Sequence, residues 1–160
     1  MNAQSDIATM TTTQAIVFEP AALGGGSFWK GDSLLATLTV FKRAERQGRL
    51  SIRDTNRAMD LLRLSRRERT IYRLSQALGQ IGKAEWVRGE PSALLRYRGQ
   101  AYLVTRESLL TAQDHQLVVA LALTSNWNVK QVELRITPEA DLPLVGFYLF
   151  ITYDLNLAGQ

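Results

Sequence analysis

Charge runs along this chain in three blocks, and the middle block limits what the chain can fold into. Residues 1–41 hold one lysine against three acids, residues 42–106 hold sixteen lysines and arginines against six acids, and residues 107–160 hold two bases against six acids. The blocks therefore carry net charges of −2, +10 and −4, within a chain total of +4. An unpaired buried charge is far too costly to hold. Every element of the middle block must therefore keep one long face in water or against anions. Arginine supplies fifteen of the nineteen basic residues. Its planar fork suits phosphate and stacks on bases, which solvation alone does not require. Segregation of this kind points to a polyanion-facing surface in the middle of the chain.

The rest of the composition sets the frame. A chain of 160 residues with 46% apolar content is enough for one domain with its own core. It has no cysteine. Disulfides, zinc ribbons and thiol nucleophiles are thereby excluded, and a reducing, cytoplasmic setting fits. The apolar run Leu117 to Leu123 is far shorter than the roughly 20 residues of a membrane-spanning helix. No basic residue precedes Lys30, so the charged start of a signal peptide is missing. Residues 1–14 are rich in Asn, Gln, Ser and Thr and read as a disordered arm, followed by a single domain over 15–160.

Periodicity predicts an α+β, mainly α chain: a basic helical bundle with a short C-terminal β element. Leu34, Leu38 and Phe41 share one helical face, and Gly48 supplies a stop. Ser51 with Asp54 resembles a capping box ahead of Ala58, Leu61 and Leu62. Ser65-Arg66-Arg67-Glu68 is a fuller capping box, followed by the stripe Ile71, Leu74, Leu78, Ile81 and the stop Gly82. Residues 32–82 thus read as a basic tri-helical unit. Residues 84–105 fit either a hairpin around Gly99-Gln100 or a helix opened by Pro91. A further helix is expected from about Arg106 to Thr124. The tail, 129–155, reads as strand-rich: Val132, Leu134 and Ile136 alternate with polar residues, and Val145 to Tyr153 is a buried apolar run.

Residues that carry chemistry are few. Gly24, Gly25 and Gly26 do not make a phosphate loop, because Lys30 precedes Gly31 and no Ser or Thr follows the pair. His115 is the sole histidine, and adjacent Asp114 does not face it on a helix. Helix spacing brings no acids together as metal-bound nuclease chemistry needs. The reading is a non-enzyme with no cofactor and no metal.

On a helical wheel, Arg66, Arg69, Arg73 and Lys83 fall opposite the apolar stripe with Gln76 and Gln80, and Tyr72 lies on the flank. Arg53 and Arg57 before it, and Arg96 and Arg98 after it, extend the patch. Such a run of donors suits successive phosphates, with the tyrosine placed to stack on a base. Nucleic-acid backbone contact is therefore expected, within an assembly containing other protein subunits and no membrane. Two other readings stay open. Three helices and a hairpin are the order of a winged-helix transcription regulator, with 65–82 as recognition helix. A structural adaptor for an acidic protein partner fits the same charge.

Phe41-Lys42-Arg43-Ala44, Arg57-Ala58-Met59-Asp60 and the Arg66 to Arg73 stripe have the texture of a known group. Over Asp32 to about Leu110 the chain resembles the small helical subunit of CRISPR effector complexes, or the related C-terminal domain of their large subunit. The resemblance implies a non-catalytic helical subunit that holds a guide–target duplex or displaced strand by basic side chains. The strand-like tail departs from that all-helical pattern.

Overall fold

A computed structural model of the chain describes residues 14–21, 25–41, 46–53, 57–121, 132–138 and 140–153. Twelve strands are described: β1 (Gln14–Pro20), β2 (Gly25–Lys30), β3 (Ser33–Phe41), β4 (Arg46–Ile52), β5 (Arg57–Arg66) and β6 (Arg69–Gln76), then β7 (Gly79–Val87), β8 (Ala93–Tyr97), β9 (Gln100–Val104), β10 (Ser108–Thr111), β11 (Leu117–Leu121) and β12 (Val132–Ile136). One helix follows, α1 (Leu142–Tyr153). The strands pair in sequence order, all antiparallel, and β1 pairs with β12 to close a barrel.

The expected mainly helical bundle is therefore overturned. Described residues of the tri-helical unit over 32–82 lie in β3 to β7 or the adjoining turns, and those of the helix expected from Arg106 lie in β10 and β11 or their turns. Periodicity misled for a physical reason. Spacings of four satisfy a period of two as well as a helical turn, so Leu34 and Leu38 fit either. The outer wall also carries leucines, so the alternation that would mark strands is blurred into doublets such as Leu61-Leu62, Leu94-Leu95 and Leu109-Leu110. Burial restores it: Met59, Leu61, Tyr72, Leu74, Leu95 and Leu109 are inside, while Leu94 stands 47% exposed. Leu78, placed on the buried helical stripe, lies in the β6–β7 turn and is fully exposed. The supposed capping box Ser65 to Glu68 is the end of β5 and the β5–β6 turn, with Arg66 opposite Arg69. Residues 84–105 resolve as a hairpin at β8–β9. Its turn is Arg98-Gly99, one residue earlier than expected, with φ of 48° and 81°. Positive φ at both central positions matches the twist of paired strands.

The tail is half as expected. Val132–Ile136 is a strand, but the Val145 to Tyr153 run is helical and stands inside the barrel. Leu144, Val145, Phe147, Tyr148, Leu149, Phe150 and Ile151 are all at most 2% exposed. The barrel requires such a filling. Strands about 4.8 Å apart and tilted about 40° give twelve-strand walls a diameter of roughly 24 Å. Side chains from the wall leave a channel that a helix about 10–12 Å wide fills. A helix apolar on every side is stable only when surrounded.

Two glycines make the fit possible. A Cβ on Gly82 would lie 2.9 Å from Phe147, and one on Gly146 would lie 2.5 Å from Leu50. Gly82 is thus clearance for the helix, not a helix stop. Asp141 starts α1: Leu144 donates its N–H to Oδ1 at 3.0 Å, and the Tyr97 hydroxyl donates to Oδ2 at 2.8 Å. Pro143 sits in the first turn, where its missing N–H costs nothing. The helix therefore enters at the lower end, beside the β8–β9 turn, and runs toward the upper end, where the β5–β6 and β7–β8 turns lie. The expected arm lies outside the described residues except Gln14, which opens β1.

No helix among the described residues is long and apolar enough to cross a membrane. The barrel wall has charged side chains outside and apolar ones inside, the inverse of a lipid-embedded barrel.

Candidate functional site

Alternation decides where the basic residues go. Tyr72, Leu74, Gly82, Ala84, Leu95 and Tyr97 point inward, so Arg73, Lys83 and Arg96 between them point outward. The register places these three directly opposite one another: Arg73 faces Lys83 across β6–β7, and Lys83 faces Arg96 across β7–β8. Strand spacing puts their backbones about 5 Å apart, a row about 10 Å long. Like charges directly opposite on a sheet are destabilising, by a fraction of a kcal/mol each. The fold alone gives no reason to line them up.

Nearby acids do not neutralise the row. Asp60 lies 3.6 Å from Arg49, and Glu85 lies 3.3 Å from Arg69. Among the described residues, Arg73, Lys83 and Arg96 form no ion pair. The Nε of Arg73 is buried with no acceptor among the described residues. Arg73 also borders an open depression of about 500 Å³ on the wall, shared with Gln47, Arg49, Asp60, Leu62, Ser75 and Gln80.

The other expected contact residues scatter. Arg66 and Arg69 flank the upper β5–β6 turn. Arg53 and Arg57 lie at the lower end, around a separate cavity of about 360 Å³. Arg98 sits in the β8–β9 turn, its guanidinium 5.4 Å from the centre of the Tyr97 ring. The expected continuous stripe of eight residues is thus one row of three with outliers at both ends. Tyr72 is no stacking flank: it is 3% exposed and packs edge-on to Phe150 inside the barrel. Residues 69–76 being a strand, the recognition helix of the winged-helix reading is not there.

His115 lies in the turn between β10 and β11 with φ of 54°, so its relation to Asp114 is that of a turn and not of a helix. Among the described residues no group of three or more His, Asp or Glu is placed to hold a metal ion. Sequence reasoning missed one cluster. Arg67, Arg88 and Arg106 surround a cavity at the upper mouth of the barrel. Its signal was turn chemistry: Arg88-Gly89-Glu90-Pro91 between two apolar runs marks an exposed loop.

No family model matches the chain, and neither a curated protein nor a solved structure matches it.

Proposed function

We propose that this chain is a non-catalytic, cytoplasmic binding subunit whose outer wall holds a nucleic-acid backbone without reading its sequence. The observation that carries this is the uncompensated row Arg73, Lys83, Arg96, with the acceptor-less Nε of Arg73 at its end. A cation row on a sheet meets phosphates, and it inserts no element into a groove to read base edges. A companion protein surface is supported by a second row. Leu94, Leu103, Leu110 and Leu117 are consecutive outward partners across β8 to β11. Leu94 and Leu117 are 47% and 42% exposed. A neighbouring subunit of the assembly docks there in this reading. The apolar C-terminal run is used up inside the barrel.

The test is fluorescence anisotropy on unrelated oligonucleotides at several salt concentrations. Three phosphate contacts give a log–log slope of about −2.1 to −2.7, so a fourfold rise in salt weakens binding about 20- to 40-fold. The triple variant Arg73→Ala, Lys83→Ala, Arg96→Ala removes that slope. Its melting is unchanged or raised, since outward truncation opens no cavity and relieves repulsion. A salt-independent wild type, or a triple variant that binds with the wild-type slope, rejects the proposal.

A further inference from the structure

The cavity at the upper mouth of the barrel measures about 510 Å³, within the range of small-molecule sites. Two hairpin turns build most of its rim, and Arg106 of the β9–β10 turn completes it. The β5–β6 turn contributes Arg67 and Glu68, and the β7–β8 turn contributes Arg88 and Glu90. Tyr72 and Trp86, both buried, line it from the barrel side. The rim is pinned: the Arg88 N–H donates to the Glu68 carbonyl at 2.7 Å, and Trp86 Nε1 donates to the Glu90 carbonyl at 3.0 Å. Both turns are therefore held as one frame before any ligand arrives.

Arg67 sits at φ of 44°, a left-handed conformation that is unfavourable for a non-glycine residue. Glycine or asparagine would suit that turn better. The strain puts a guanidinium on the rim that an easier turn residue would not supply. Cations and acids share this rim, yet among the described residues Arg67, Arg88, Glu68 and Glu90 form no ion pairs with their side chains. All four are exposed, so each charge is open to a ligand as well as to water. Guanidiniums bind phosphate oxygens through paired N–H donors. Carboxylates accept only, and so ask for hydroxyl or amino hydrogens.

We infer that this mouth is a binding site for a small phosphate ester bearing hydroxyl or amino groups. Arg67 and Arg88 take the phosphate, and Glu68 and Glu90 take the hydroxyl or amino groups. The site is separate from the outer-wall row and does not depend on it, because the two share no residue.

The test titrates the full chain with adenosine monophosphate, adenosine and inorganic phosphate, each followed by tryptophan fluorescence and by thermal melting. Adenosine monophosphate should saturate and raise the melting temperature. Inorganic phosphate should bind at least about tenfold more weakly, and adenosine more weakly still. Arg67→Asn with Arg88→Ala should weaken the nucleotide about tenfold or more, asparagine being chosen to tolerate the left-handed turn. Glu68→Gln with Glu90→Gln should weaken the nucleotide but not inorganic phosphate. The triple outer-wall variant should bind the nucleotide like wild type. The inference is overturned if the wild type saturates with none of the probes at millimolar concentration, or if the arginine pair variant binds as wild type does. Loss of nucleotide binding in the outer-wall variant would overturn it too, by moving the ligand to the wall.

Discussion

Leu74 and Leu78 show how much one residue's position depends on the element that carries it. A helix would bury both on one stripe. The strand points Leu74 into the barrel at 0% exposure and leaves Leu78 at the tip of a turn. Leu74→Ala should cost about 2–5 kcal/mol, because the site is tightly packed and collapses poorly. Leu78→Ala should stay within about 0.5 kcal/mol of wild type. Denaturant melts of the two variants check this, and equal losses would mean that β6 ends elsewhere. Gly82 belongs to the same scale. A side chain there meets the Phe147 ring, so Gly82→Val should destabilise by overpacking, about 1–3 kcal/mol, where strand propensity alone would favour valine.

α1 makes the barrel a filled solid, and two phenols bear on it. Burial pushes the Tyr148 phenol well above the ordinary tyrosine value of 10, and the Glu107 charge pushes it further. Burial also raises Tyr97, helped by its hydrogen bond to Asp141 and that carboxylate's charge, against an opposing effect of Arg98. Both groups keep their protons in the folded chain at a pH where the unfolded chain has lost them. Their contribution is therefore fully present below pH 10 and declines as pH rises beyond it. Tyr148 alone should make stability fall by about 1.4 kcal/mol per pH unit there. Among the described residues the Tyr148 hydroxyl has no hydrogen-bond partner, so Tyr148→Phe should leave neutral stability level or higher and flatten the alkaline decline by that amount. Urea melts at pH 9 to 11 measure both, and an unchanged alkaline slope would mean the phenol is wet. The cap at the helix start is a second handle. Asp141→Ala should cost about 1–2 kcal/mol, with Asp141→Asn losing less, because the amide oxygen still caps.

The whole molecule closes through its ends. β1 and β12, far apart in sequence, pair over Gln14–Phe18 and Val132–Ile136, and α1 then enters the ring they complete. Removing β1 would leave β2 and β12 with open edges, which recruit other chains. Such a deletion should associate in a concentration-dependent way by size-exclusion chromatography while the intact chain does not. A monomeric, fully folded deletion would mean that the ring is not what satisfies those edges. Closure also sorts the charge: walls with a packed interior send every mid-strand arginine of β6 to β8 outward, where Arg73, Lys83 and Arg96 fall into line.

Two features were legible without any fold: the middle block presents arginines to solvent, and Val132–Ile136 is a strand. Each follows from a local cost: burying charge in the first, alternating burial in the second. The strand–turn–strand form of 84–105 was half legible, because Gly99 marks a turn but Pro91 equally opens a helix. The secondary structure of most of the chain, by contrast, depends on long-range packing. Leucines on the outer wall hide the two-residue period, and spacings of three and four mimic a helix. The Val145–Tyr153 run likewise has no face of its own, so it is strand or helix according to what surrounds it. Asp141 and Pro143 mark the helix start locally, but the run after them reads equally as a buried strand. The cation row lay beyond any reading of the sequence, because residues 73, 83 and 96 become neighbours through cross-strand register, and register is set by the closed barrel as a whole.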